Sequence, residues 1–179
     1  QVNKMDQVKR LVYRLLQEAN KVSELGLVHR LLEPSCINVE KISLEQVPIQ
    51  EPQLDYKIFI NHWESALNLK GSMLQDTGFR SNFLTEVERK LSWRAPELST
   101  QDSLSPSEWV KADVYSISAI VYWLFTNTTP PSSQSSCHSV LSQHLSPQHV
   151  RLVDLCVLGL HNNPQNRPSL KDLFEASHS

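Results

Sequence analysis

Trp109-Val110-Lys111-Ala112-Asp113-Val114-Tyr115-Ser116-Ile117-Ser118-Ala119-Ile120-Val121-Tyr122-Trp123-Leu124-Phe125 decides the architecture. Val110, Val114, Ile117, Ile120, Val121 and Leu124 recur at helical spacing, and other apolar residues fill much of the remaining circumference. A helix that is apolar on nearly every side has to be buried, so the spacing predicts a central helix with the rest of the chain packed around it. Thr128-Thr129-Pro130-Pro131 and the serines Ser132, Ser133, Ser135 and Ser136 end it, since proline cannot continue a helix and serine competes for backbone hydrogen bonds. We take that serine-rich stretch as an exposed, flexible loop that could accept phosphate.

Upstream, Val8, Leu11, Val12, Leu15, Leu16, Ala19 and Val22 form one face of an amphipathic helix that should stop at Gly26. Ile37-Asn38-Val39 and Tyr56-Lys57-Ile58-Phe59-Ile60 read as two short strands of a ribbon, because β-branched and aromatic residues suit a pleated, half-buried surface. Pro48, Pro52 and several Glu and Gln residues predict a long solvated connection from Glu40 to Asp55. From Glu64 to Leu91 the pattern is weak, with Gly71 and Gly78 available for turns and a short helix at Asn82 to Arg89. Downstream, Val140 to Leu145 is a faint helical stretch. Pro147 opens a heavily apolar helix through Leu160, and Ser169 to Glu175 is a last short one. The expected fold is mainly α, a helical bundle around a buried central helix with a small β-ribbon.

Composition bounds the partners. The 179 residues suit one domain, and 17 basic against 19 acidic side chains leave a net charge of −2, so neither nucleic acid nor an anionic membrane is favoured. The longest nearly apolar run, Ile117 to Phe125, is far short of the roughly 20 residues that cross a bilayer. Cys36, Cys137 and Cys156 are too scattered for a disulfide framework or a zinc site, which fits a reducing, intracellular setting, cytoplasmic or nuclear. The start, Gln-Val-Asn-Lys-Met-Asp, has no signal-peptide pattern and suggests a cut from a longer chain.

Three further segments, in order, carry a likeness. They are Leu27-Val28-His29-Arg30-Leu31-Leu32-Glu33-Pro34-Ser35-Cys36-Ile37-Asn38-Val39, then Trp93-Arg94-Ala95-Pro96-Glu97, then Lys111 to Ile117 followed late by Asn163-Pro164-Gln165-Asn166-Arg167-Pro168-Ser169. The first resembles the catalytic loop His-Arg-Asp-Leu-Lys-Pro-x-Asn of protein kinases, the second their Ala-Pro-Glu motif, here Ala95, Pro96 and Glu97, and the third the start of their buried central helix. Together they cover nearly the whole chain and resemble the kinase C-terminal lobe, which implies one kinase-like lobe over residues 1–179 with a nucleotide-binding lobe upstream.

The same likeness implies that the chemistry is lost. The position of the catalytic aspartate is Leu31, which cannot accept a proton, and losing a positioned base forfeits about 10² to 10⁴ in rate. Glu33 stands where the family has a lysine near the transferred phosphate, so its charge has the wrong sign. Cys36 replaces a magnesium-binding asparagine, and thiol is a poor ligand for that hard cation. Where Asp-Phe-Gly should follow the second strand the sequence has Phe59-Ile60-Asn61-His62-Trp63, so the second metal ligand becomes Ile60 or Asn61, with Asn61 favoured. No glycine follows, which puts the family's switching geometry in doubt.

The resemblance therefore implies no catalytic residue, no metal, no cofactor and no ATP cradle in this chain. It gives His29, Arg30 and Asp113 a structural role tying the loop to the central helix, and makes Glu97 and Arg167 a buried ion pair. Arg30 could alternatively receive a phosphate, while His29 is taken as a satisfied core histidine and Cys36 as unreactive. The expected function is that of a pseudokinase, a noncatalytic scaffold that binds other proteins. The alternative is a serine/threonine or tyrosine kinase of unorthodox mechanism, active only with its N-lobe.

Overall fold

A computed structural model describes residues 3–44, 53–71, 79–80 and 84–178. Helix α1 (Lys4–Glu24) leads to β1 (Leu27–Val28), a 3₁₀ turn (Pro34–Cys36), and strands β2 (Ile37–Leu44), β3 (Gln53–Ile60), β4 (Leu67–Asn68) and β5 (Phe79–Arg80). There follow α2 (Glu86–Arg89), α3 (Glu97–Thr100), β6 (Ser103–Leu104), α4 (Pro106–Thr126), α5 (Gln134–His144), α6 (Val150–Gly159) and α7 (Leu170–Ala176), with short 3₁₀ turns before α6 and α7. The described residues are mainly helical.

Helix α4 is the hub. Ser105 caps it, accepting from the Glu108 N–H while the Glu108 carboxylate accepts from the Ser105 N–H, and Pro106 occupies the first turn. Asn127 closes it in the left-handed conformation. Its first turns send Trp109 and Ala112 into one apolar cluster with Val28, Ala95, Leu98 and Leu104. Its later turns send Val114, Ile117, Ile120 and Val121 into a larger cluster built with α1, α5, α6 and α7. One helix thus joins two cores. Asp113, Ser116 and Ser118 are buried on it as well, and the buried polar groups must be accounted for.

Helix α1 ends before Gly26, whose φ of 77° suits glycine and whose carbonyl accepts from the Leu69 N–H at 2.7 Å. Strand β1 then pairs antiparallel with β4, placing Leu27 opposite Asn68. Two strands of two residues each are too short to show a sequence pattern, and neither is expected from the sequence. The same holds for β5 with β6 and for α3.

The ribbon is longer than the expected strands. β2 and β3 pair antiparallel from Ile37 opposite Ile60 to Leu44 opposite Gln53, so Glu40 to Leu44 and Gln53 to Asp55 belong to strand rather than to the expected loop. Glu40 and Lys41 fit there because they are exposed, and Asp55 fits because Arg14 donates two bonds to its carboxylate. Residues 45–52, the rest of that loop, lie outside the described residues, as do Gly78 and the expected helix start at Asn82. A capping box on Thr85 starts α2 at Glu86 instead.

The serine-rich loop is also corrected. Ser133 accepts from the Ser136 N–H and caps α5, so Gln134, Ser135 and Ser136 are its first turn. The serine preference for helix starts outweighs its cost inside a helix here.

Helices α4 and α6 approach closely where α6 has Gly159. A Cβ there would lie 1.9 Å from the Ser118 hydroxyl oxygen and 2.8 Å from the Ser118 Cβ. Gly159→Ala should therefore cost about 2 kcal/mol by overpacking. Ser118→Ala in that background should restore part of the loss, because it removes the nearer atom and leaves the farther. Urea unfolding of the three proteins checks this, and an unchanged Gly159→Ala midpoint would mean the helices are less tightly apposed.

Candidate functional site

Apart from Glu97 in α3 and Arg167 in the turn before α7, the residues singled out in the sequence lie where the loop between β1 and β2, the segment after β3 and the stretch before α3 meet the N-terminal half of α4. Asp113 organises the meeting. One carboxylate oxygen accepts from the His29 N–H at 2.7 Å and the other from the Arg30 N–H at 2.9 Å, across 84 and 83 residues of sequence. Arg30 has φ 75°, a strained value for a side chain with a Cβ, and the Asp113 bond to its own N–H holds it there.

Asp113 is buried, and burial pushes its carboxyl pKa from 3.8 up to about 7, while the His29 and Arg30 N–H groups and the charges of Arg30 and Arg94 work in the opposite direction. Next to it, His29 is 1 % exposed. Its Nε2 lies 2.7 Å from the Asn61 carbonyl, and its Nδ1 accepts from the Leu31 N–H at 3.1 Å. A carbonyl needs a donor and an N–H needs an acceptor, so the ring is the neutral Nε2–H tautomer with both nitrogens used. Burial lowers its pKa, and no lone pair remains for base catalysis. Trp63 covers the ring with centroids 4.7 Å apart.

The Arg30 guanidinium bonds the Ser65 carbonyl and lies 5.2 Å from the Trp109 ring centre. Leu31 is half-buried against the smaller cluster. Cys36 is buried, its thiol contacts the Leu31 carbonyl at 3.4 Å, and burial raises its pKa, which keeps it a thiol. Asn61 joins this group through its backbone, its N–H bonding the Cys36 carbonyl at 2.8 Å. The following residue, His62, has φ 62°, so a non-glycine side chain occupies a left-handed position at this turn. Among the described residues no group of three His, Cys, Asp or Glu side chains could hold a metal ion.

Arg94 is the residue the sequence reasoning missed. It is 7 % exposed, and it donates to the Leu32 carbonyl at 2.8 Å and to the Glu33 carboxylate at 3.2 Å. Glu33 also accepts from the Ser35 hydroxyl at 2.7 Å. The loop carboxylate is thereby engaged on both oxygens, and the guanidinium sits over the loop that holds Leu31. Nothing local announces this contact, since the partners are 61 residues apart.

Glu97 and Arg167 meet in full fork geometry, with Nη1 to Oε1 at 2.7 Å and Nη2 to Oε2 at 2.8 Å, and their side chains are 4 % and 0 % exposed. The remaining Arg167 donors reach the Lys111 carbonyl at 3.0 Å and the His161 carbonyl at 2.8 Å, and Lys111 returns a bond to the Arg167 carbonyl at 2.7 Å. The ion pair therefore locks α3 to the turn before α7 and to α4. Ala95 is fully buried and Pro96 begins the turn of α3, and the Ser116 hydroxyl bonds the Trp93 carbonyl at 2.6 Å.

No protein-family model matches this chain, and no curated protein matches it.

Two outcomes follow. Arg167→Ala leaves Glu97 buried and unpaired, so it should cost roughly 3 to 5 kcal/mol. Leu31→Asp, at a half-buried position, should cost nearer 1 kcal/mol, about the average for point changes. Urea unfolding that ranks them the other way would contradict the fork as a mainstay of the fold.

The second concerns pH. Because Asp113 has a higher pKa folded than its unfolded 3.8, the folded protein keeps a proton the unfolded chain has lost. That contribution is complete below about pH 4 and is lost as pH rises to about 7, with a limiting slope of about 1.4 kcal/mol per pH unit. His29 acts in the opposite sense below its ordinary pKa of 6.5, being favoured neutral. The stability difference between the parent and Asp113→Asn should therefore move against the parent as pH climbs from about 4 to about 7. A difference flat across that range would mean that Asp113 titrates as an exposed carboxyl does.

Proposed function

We propose that this chain is a noncatalytic, kinase-like protein-interaction module, a pseudokinase lobe kept for its shape and surfaces. The observation that carries the reading is the state of the loop from His29 to Cys36. Its backbone is held by Asp113 and its histidine is consumed by two backbone bonds, yet Leu31, Glu33, Cys36 and Asn61 stand where the family resemblance calls for a base, a cation and two metal ligands. Glu33 is engaged by Arg94 and Ser35, so its carboxylate is not free to serve as a substitute base.

Phosphoryl transfer depends on charge neutralisation by metal and lysine at the transferred group. Here a carboxylate and a protonated thiol occupy those positions. The polar ties that would survive from such a fold are the ones that need no ligand: Asp113 with the loop, and Glu97 with Arg167. A module of this kind acts by binding other proteins, inside the cell, and needs no cofactor. Among the described residues no helix is long and apolar enough to cross a membrane.

Thermal unfolding with and without magnesium and ATP tests the proposal. The melting temperature of this chain should stay unchanged at millimolar nucleotide, because a ligand stabilises only the state that binds it. Leu31→Asp alone should give no transfer of radiolabelled γ-phosphate to a generic protein substrate. A magnesium-dependent rise in melting temperature would refute the noncatalytic reading, and turnover by that single variant would show that the changes at Glu33, Cys36 and Asn61 matter little.

A further inference from the structure

Among the described residues strand β2 has one partner. The ribbon is two-stranded in the order β2 then β3, and the Asn61 N–H bonds the Cys36 carbonyl at 2.8 Å in the same register that sets Ile37 opposite Ile60. In an antiparallel pair the residues of β2 bond to β3 in alternation, so Cys36, Asn38, Glu40 and Ile42 point their backbone groups at β3. Val39 and Lys41 point theirs outward. Val39 is 45 % exposed and Lys41 is exposed too, and neither makes a backbone hydrogen bond along that outer edge among the described residues. An open edge with unpaired N–H and C=O groups is a template for another strand.

The same strand borders an apolar groove. About 240 Å³ of space lies between the ribbon, α1 and α4, lined by Leu11, Leu15, Val39, Ile58, Trp123 and Leu124 among others, with no titratable side chain in its wall. Val39 belongs both to the edge and to the groove, so a chain laid along β2 would place side chains at its mouth. On the face that Val39 and Lys41 share, Lys41 is the exposed charge of β2, because Glu40 beside it alternates to the other face, opposite Lys57. Lys41 stands across from Tyr56, not from a carboxylate, and forms no ion pair among the described residues. Asp55, the nearest acid on β3, is taken by Arg14 through two bonds of 2.9 and 2.6 Å, and Arg10 is close enough for its charge also to favour the ionised Asp55.

We propose that β2 binds an extended acidic peptide of a partner protein by strand addition, with an apolar residue of the peptide in the groove and an acidic one beside Lys41. Main-chain bonds to Val39 and Lys41 supply affinity, and alternate side chains supply selectivity. The proposal gives the interaction reading above a partner chemistry and rests on it.

A capped seven-residue peptide alternating glutamate and valine, carrying a fluorophore, is the probe, and its counterpart alternating lysine and valine is the control. Titration of the full chain followed by anisotropy should give saturable binding of the acidic peptide, about tenfold tighter than of the basic one. Amide exchange should slow at Val39 and Lys41 in the complex. Lys41→Glu should reverse the preference, and Lys41→Pro, tolerated on an edge whose N–H faces solvent, should abolish binding while leaving the melting temperature near the parent's. Equal binding of both peptides, no saturation, or protection located away from β2 would overturn the proposal. Those outcomes would leave the noncatalytic reading standing, whereas nucleotide-dependent stabilisation would remove that reading without touching the edge.

Discussion

One buried carboxylate sets the geometry around which the rest is arranged. Asp113 projects from the helix that joins both apolar clusters and takes the N–H groups of His29 and Arg30, so the loop between β1 and β2 is tied to the core through its own backbone. Two unpaired N–H groups in a dry interior would each cost about 1 to 3 kcal/mol, so the acceptor and the loop conformation require one another. The positive φ of Arg30 is a consequence, because the loop must turn sharply to present consecutive N–H groups to the two oxygens of a single carboxylate.

From that point the remaining ties are arranged along the same helix. Ser116 holds Trp93, and the Lys111 carbonyl accepts from Arg167, which grips Glu97. Segments distant in sequence are thus pinned along the first half of α4, and the apolar second half packs against α1, α5 and α6. The loop is consequently held through its own backbone, whatever side chains it carries. Leu31 can pack, Cys36 can stay protonated under the Leu31 carbonyl, and Glu33 can turn to Arg94 without loosening the backbone.

Much of this was legible because burial leaves a pattern. An apolar run from Trp109 to Phe125 can only be an interior helix, and the face from Val8 to Val22 can only lie against a core. The ribbon was half visible: its apolar ends read as strand, whereas Glu40 to Leu44 and Gln53 to Asp55 carry polar residues that pair as strand all the same. Strands of two residues leave no periodicity to read, and the serines at 133, 135 and 136 signal equally a loop and the start of a helix. Among site residues, Asp113, Glu97 and Arg167 were singled out in the sequence by motif resemblance alone, and their contacts come from the folded chain. Arg94 was not, because its meaning comes from Leu32 and Glu33, which only the folded chain brings to it. The open edge of β2 is likewise a property of topology, not of any residue.

The claim that a backbone tie to Asp113 keeps the loop rigid without ligand is tested most directly by native-state amide hydrogen exchange at His29 and Arg30. The account predicts opening free energies within about 1 kcal/mol of global unfolding for both amides, since breaking either bond strands a buried carboxylate. Exchange at rates typical of exposed loops, with α4 still protected, would contradict it.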